Sequence, residues 1–475
     1  MKKIALILSA VLSFNICQGQ NPDTEAIMNK AERGDTTAMN DLGAMYYNGQ
    51  GVPKDHQKAM EWWIKAAEKG SSDGMCNIGV LYIGGQGVQK NVTKAIEWFT
   101  KAAENGNAQA MHNLGFLQQD PLKEIEWYTK AAEKGKVESM GNIADMYYHG
   151  KGVPKNHKKA FEWFFKAAEK GYLQAICNVG QMYYNGDGVQ KDYAKAAEWY
   201  TKAAKKGEVE AMHNLGCMYR DGEGVQQNYA KSVDWFTQAA EKGHAAAMLS
   251  LGNRYLKGEG VSQDYKKAFE WYNKAIENGE SGAMCNIGTM YYEGKGVGKD
   301  YNMAFDWYNK AAEKGNIGGA TMIGLFYHGG LGVKKDYAKA AEWYTKAAEK
   351  GDLQAMNNLG VLYYEGLGVQ QDYKKAFDLF TKVAEKDCSI AKGSLSEMYY
   401  NGYYVTKDFN KAFKLAKEGS EDKNLPSGTA MRILSACYRY GLGGASIDKE
   451  KSEYWLKESA NHDDLKALRA LNIKL

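Results

Sequence analysis

From about residue 36 onward the chain repeats one pattern of apolar and polar positions. In its first copy Met39, Leu42 and Tyr46 fall at i, i+3 and i+7, which places them on one face of a helix. A second stripe follows at Ala59, Trp62, Trp63, Ala66 and Ala67. A glycine-bearing stretch separates the two. The pattern predicts two helices per copy, helix A and helix B, joined by a loop. Tryptophan gives the period: Trp62 and Trp98 are 36 apart, Trp127 follows after 29, and Trp163, Trp199, Trp235, Trp271, Trp307 and Trp343 recur every 36. Leu379 and Leu415 keep the step, and Trp455 closes a series of twelve.

The boundaries of helix B have physical causes in the sequence. Seven residues before the tryptophan column every copy has Asp or Asn, including Asp55, Asp120, Asp192, Asp264, Asp300, Asp336 and Asp372. A short side-chain acceptor there caps the free N–H groups of a helix start. Pro121 follows Asp120 at a position that tolerates proline. Eight residues after the tryptophan column, nine copies have glycine, from Gly70 to Gly351. Glycine just past a helix end adopts the left-handed conformation at little cost.

These columns together resemble the Sel-one-like repeat. The motifs are Leu215-Gly216 in helix A, Gly222-Glu223-Gly224-Val225 in the loop, Lys-Ala-x-x-Trp, and Ala239-Ala240-Glu241-Lys242-Gly243 at the end of helix B. The resemblance implies an all-α fold, a right-handed α-solenoid of about twelve antiparallel helix pairs over residues 35–463. It also implies an adaptor or scaffold role. Residues 20–34 and 464–475 are expected to cap the two ends, because a solenoid otherwise exposes apolar surface there. Three departures stand out. The third copy lacks seven residues between Gly115 and Asp120, the eleventh replaces its glycine loop with Gly402-Tyr403-Tyr404-Val405, and the last carries four extra residues near Pro426. A change of pitch is expected near 115–125, and looser packing after residue 387.

Residues 1–19 read as a signal peptide. Lys2 and Lys3 precede an apolar run from Ile4 to Phe14, and Cys17 and Gly19 supply small residues before a cleavage site at Gln20. Lipidation at Cys17 is the rival reading, and Phe14-Asn15-Ile16 suits it poorly. The chain is therefore expected in the periplasm or outside the cell, with no transmembrane segment. Removing Lys2 and Lys3 from the 61 basic residues leaves an excess of two over the 57 acidic ones, with the signs interleaved along the helices. This excludes the one-sign basic patch that nucleic-acid binding needs. Six cysteines lie beyond the leader. Their register places no two of them face to face within a hairpin, so buried, reduced thiols are expected.

Few residues suggest chemistry. Ser389-Ile390-Ala391-Lys392 matches the Ser-x-x-Lys of penicillin-binding enzymes, but its partner motifs are missing and chance explains the match. The glycine loops follow no predicted strand, so turn geometry accounts for them better than phosphate binding. Cys76, His112, Cys177, His213 and Cys285 share one column, yet stacked repeats hold equivalent residues about 8–10 Å or more apart, too far for one metal. No cofactor, metal or catalytic residue is expected. The Asn column (Asn77, Asn113, Asn142, Asn178, Asn214, Asn286, Asn358) fits either a structural tie or a clamp on a bound peptide, with the tie favoured.

The remaining signal is a variable stripe on helix A. Asn40, His112, His213 and Asn357 occupy its first slot, and Asp145, Gln181 and Asn253 its second. Tyr47, Tyr148, Tyr184, Arg220, Tyr292, His328 and Tyr364 end it. In stacked hairpins helix A lines the concave side, which makes these residues candidates for a partner-binding groove. Unconstrained solvent exposure explains them about as well. Phe99, Tyr128, Phe164 and Tyr200, beside the tryptophans, are expected to pack between repeats. The expected function is an exported, monomeric adaptor holding a protein or peptide, with a cell-wall or β-lactam-related hydrolase using Ser389 and Lys392, or an architectural stacking protein, as alternatives.

Overall fold

The computed structural model describes residues 24–422 and 426–462. The expected signal peptide, 1–19, and the C-terminal capping helix, 464–475, lie outside the described residues. Among the described residues are twenty-five helices and no strand. A helix at Thr24–Glu32 precedes twelve A/B pairs, from Thr36–Asn48 and His56–Glu68 to Gly428–Tyr440 and Lys449–Asn461. The chain divides into two compact halves, one up to Lys242 and one from Gly243. Within each half every helix packs on the one before it and the one after it, which is the arrangement of an α-solenoid.

The Asp/Asn column starts each helix B. Asp55 has an extended backbone, and its carboxylate accepts from the N–H groups of Gln57 and Lys58, each at 3.0 Å. Asp120, Asp192, Asp264, Asp300, Asp336 and Asp372 make the equivalent bonds in their own repeats. Most of these capping residues also tie the loop back to helix A: the Asp192 N–H donates to the Tyr183 carbonyl at 2.9 Å.

The two loop glycines have different tasks. Gly186 ends its helix A in the left-handed conformation, φ 81°. Gly188, φ 71°, lies against the preceding repeat, where a Cβ would come within 2.2 Å of the His157 carbonyl oxygen. The loop therefore seats its repeat on the previous helix B, and glycine meets both demands without strain. In the eleventh repeat Tyr404 takes the left-handed conformation instead, φ 66°. Its neighbour Tyr403 stacks on Tyr373 of the repeat before, with ring centroids 4.8 Å apart.

In nine of the twelve hairpins the core is a contact between a glycine and an aromatic ring. The helix A glycine faces the residue that follows the tryptophan column. An added Cβ would lie 2.7 Å from the Phe99 ring at Gly79, 2.8 Å from Tyr128 at Gly115 and 2.5 Å from Phe236 at Gly216. In the first repeat Trp63 fills this place, 2.4 Å from a Cβ on Gly43, which explains the second tryptophan there. Phe99, Tyr128 and Tyr200 pack inside their own hairpins and also against the next repeat: Phe99 joins Ala110, Met111 and Leu114 in one core cluster, Tyr128 faces Asn142 and Tyr200 faces Asn214. The periodic tryptophans lie further out, half-buried, and eight of them lie beneath a lysine three residues on; Lys65 Nζ is 4.1 Å from the Trp62 centroid.

The expectation of looser packing past residue 387 does not hold. The eleventh repeat loses its ring at Ala416 and its glycine at Ser396, and both positions are fully buried. Small residues then bring its helix A close to the next: a Cβ on Gly393 would meet the Ser427 hydroxyl at 2.0 Å.

The glycine–ring contact makes a direct prediction. Gly216→Val is expected to destabilise the protein by about 2 kcal/mol through overpacking against Phe236. Phe236→Leu relieves that clash, so the urea-unfolding loss of the double variant should be smaller than the sum of the single losses. Additive losses would contradict the contact.

Candidate functional site

The shortened third repeat sets the geometry of the site. Its helix A, Ala108–Leu117, has 10 residues where the following one, Val137–His149, has 13. It ends at Gln118 in an extended conformation, without the left-handed glycine and without a terminal tyrosine. Beside this gap a pocket of about 210 Å³ opens, lined by Phe116, Glu124 and Tyr128 of the third repeat and by Asn142, Asp145 and His149 of the fourth. A second pocket, about 220 Å³, shares Asp145 and His149 and adds Tyr148, Phe164, Asn178 and Gln181. A third, about 300 Å³, shares Gln181 and adds Tyr184, Tyr200, Asn214, Cys217 and Arg220. Shared walls make these one row across four consecutive repeats, all within the first half of the chain.

Many residues of the variable stripe are committed within the repeat stack. The Tyr47 hydroxyl donates to Gln86 Oε1 at 2.6 Å, Tyr148 to Asp187 Oδ2 at 2.9 Å, and Tyr184 to Glu223 Oε2 at 2.5 Å. Each bond reaches 39 residues ahead, into the glycine loop of the next repeat. Tyr148 also stacks on His157 at 4.7 Å, and His157 pairs with Asp187 at 3.2 Å. Tyr292 packs on Tyr301 and Phe326, Tyr364 on Tyr373 and Tyr403, and His328 on Tyr337. Asn40 donates to Ser71 at 2.6 Å, and Asn253 accepts from both Tyr272 and Asn286. Arg220 forks onto Asp221, and His213 sits 3.8 Å from the Cys217 sulfur. Asn357 is half-buried with its Oδ1 unpartnered. Asp145 and Gln181 are the exposed members of the second slot that line the row of pockets.

Sequence reasoning did not single out His149, Phe164 or Met182 as pocket residues. His149 was within reach, since it stands one helical turn beyond Asp145. The Asn column leans toward the structural reading. Asn286 bonds to Asn253 at 3.0 Å, and Gln109 donates to Asn113 at 2.9 Å. Burial raises the Tyr128 hydroxyl above its ordinary value, while the Asn142 amide facing it pulls the other way.

The electrostatics oppose catalysis at the Ser-x-x-Lys motif. Ser389 is buried and donates to Asp422 Oδ2 at 2.5 Å. Lys392 pairs with Asp387, and with Glu418 at 3.4 Å. The Asp387 hydrogen bond pushes the Lys392 ammonium above its usual range, which is the wrong direction for a base that must activate a serine. No disulfide joins the cysteines of the described residues. Burial raises Cys76 and Cys177 to about 12, so they behave as small apolar groups.

A family model for the Sel1 repeat matches twelve consecutive segments, the first at 36–71 and the last at 428–464. The chain belongs to the Sel1 repeat family. Among solved Sel1-type structures it is similar to c5321, a protective antigen of uropathogenic Escherichia coli with an SLR fold. The identity is 32% and the TM-score 0.73, over 95% of this chain and 98% of that one. It is also similar to a Sel1 repeat protein from Oxalobacter formigenes, at 36% identity over 53% of this chain and 99% of that one, with a TM-score of 0.48. No curated protein matches it. Sel1 repeat proteins generally mediate protein–protein interactions and are typically non-enzymatic.

His112 of the first slot gives this part of the stack a pH dependence. Burial first, then Lys136, lowers its imidazole to about 4, and Nδ1 meets the Ser139 hydroxyl at 2.8 Å. Between about 6.5 and 4 the unfolded chain binds the extra proton, so stability falls as the solution is acidified through that window. The expected loss by pH 4 is about 3 kcal/mol. His112→Gln is expected to flatten that part of the pH–stability curve. An unchanged slope in the variant would show that other groups produce it.

Proposed function

We propose that this Sel1 repeat protein is an exported adaptor that holds a protein or peptide partner along the helix A face of its third to sixth repeats. The observation that supports this most is the continuous row of pockets where the third repeat is shortened. Its walls carry aromatic rings and amides beside one unpaired carboxylate, a mixture suited to recognition. The family's general role in protein–protein interaction supports the same reading. Export rests on the charged and apolar leader at 1–19. The description of the similar E. coli protein as a protective antigen agrees with export. The chain acts as a monomer, offering the row of pockets to a different molecule. Among the described residues no helix is long and apolar enough to cross a membrane.

One experiment tests both parts. The full-length chain with a C-terminal tag is expressed in a Gram-negative host and purified from the envelope fraction with whatever it retains. A second bait carries Gln181→Trp, which fills the wall shared by two pockets. The expected result is a mature chain beginning at Gln20, with a co-purifying protein that the variant loses. A chain found in the cytosol with Met1 in place would contradict export. An identical set of proteins on both baits would contradict the site.

A further inference from the structure

Asp145 is the unusual group in the row of pockets. The neighbouring charges are paired inside the chain: Glu124 with Lys151 at 3.0 Å, Glu138 with Lys136 at 3.1 Å, and Arg220 with Asp221 at 2.6 Å. Among the described residues no cation stands within ion-pair distance of Asp145. Crowding by the surrounding protein strips water from its carboxyl and raises it above the ordinary carboxylate range, with His149 pulling weakly in the other direction. An exposed carboxylate that is partly desolvated and has no cationic partner gains from a cation brought to it.

The chain itself shows what satisfies an acid in this slot. Glu397 holds the same position in the eleventh repeat, where the Arg432 guanidinium stands 3.1 Å from its carboxylate. Arg432 comes from the repeat after Glu397, and the fifth repeat, which follows Asp145, contains no arginine. Aromatic walls complete the site: Asp145 lines both the pocket that holds Tyr128 and the one that holds Phe164. Such rings receive the stem and the flat face of a guanidinium.

We propose that Asp145 is the anchor for an arginine of an extended peptide partner, with the flanking pockets taking side chains on either side of it. This rests on the adaptor reading above and names the chemistry of its partner. An extended strand advances about 3.3 Å per residue, so side chains three residues apart are separated by about 10 Å. That distance is close to the packing step of neighbouring helices, about 8–10 Å. A peptide can therefore address successive pockets with every third residue. The pocket nearest the shortened repeat, with Phe116, Tyr128 and Met146, takes an apolar side chain. The pocket on the far side, with Asn214, Tyr184 and Arg220, takes a polar one.

The test uses fluorescein-labelled nonapeptide pools with random flanks and one fixed central residue: arginine, norleucine or glutamate. Binding to the mature chain, residues 20–475, is followed by fluorescence anisotropy. The arginine pool is expected to bind about tenfold or more tighter than the other two. Asp145→Asn should abolish that preference while leaving the thermal unfolding midpoint unchanged, and Asp145→Lys should transfer it to the glutamate pool. An arginine preference that survives in both variants would overturn the assignment to Asp145. Pools that bind equally well, or that do not bind, would overturn the arginine anchor. The envelope pull-down judges the adaptor reading separately, because a partner retained there and lost in Gln181→Trp stands whatever the pools do.

Discussion

The fold depends on the close approach of helix A to helix B, made at a glycine in nine of the twelve hairpins. At Gly216 and its counterparts the absent side chain leaves the volume that an aromatic ring fills, so the helices approach closely across a single flat surface. Where the glycine is replaced, another small residue takes its place. The fourth repeat places Ala144 opposite Phe164, and the eleventh pairs Ser396 with Ala416. Once the hairpin is fixed, the capping aspartate ends the loop and the second loop glycine presses it onto the repeat before. A regular stack therefore arises from contacts made within 36-residue units, and each repeat needs only its neighbours.

This regularity makes the third repeat informative. Losing seven residues there removes the glycine loop without removing the cap at Asp120 or the ring at Tyr128. The hairpin keeps its core and loses the last turn of helix A together with the loop that would lie against the repeat before it. The row of pockets begins at that gap. Elsewhere on the stripe, terminal tyrosines such as Tyr47 reach into the following loop and stiffen the stack. Asp145 and Gln181 lie three residues before two of these tyrosines, on the stretch of the stripe that lines the pockets.

Much of the fold was legible in the sequence because its signals are local. Caps, left-handed glycines and the 3.6-residue stripe act within a few residues of themselves, and the repetition made each one visible several times. The commitments of the tyrosine column were not legible. Tyr148 and Asp187 are 39 residues apart, and their bond depends on how far one repeat overhangs the last. The sequence could present Tyr148 as an available hot spot because no local rule relates it to a loop in the next copy. Trp63 was misleading in a similar way: it departs from the tryptophan column because it belongs to the ring column beside it. Asp145 was legible as a variable residue. Its want of a partner became apparent only once Glu397 was found paired with Arg432.

The central claim is that partners bind on the helix A face of the third to sixth repeats. Site-specific photo-crosslinking tests it most directly, with a benzophenone side chain placed either at Gln181 or at Glu198 on helix B of the same repeat. The account predicts a covalent adduct with an envelope protein from position 181 and none from position 198. Adducts from position 198 alone would move the binding surface to the opposite face and contradict the account.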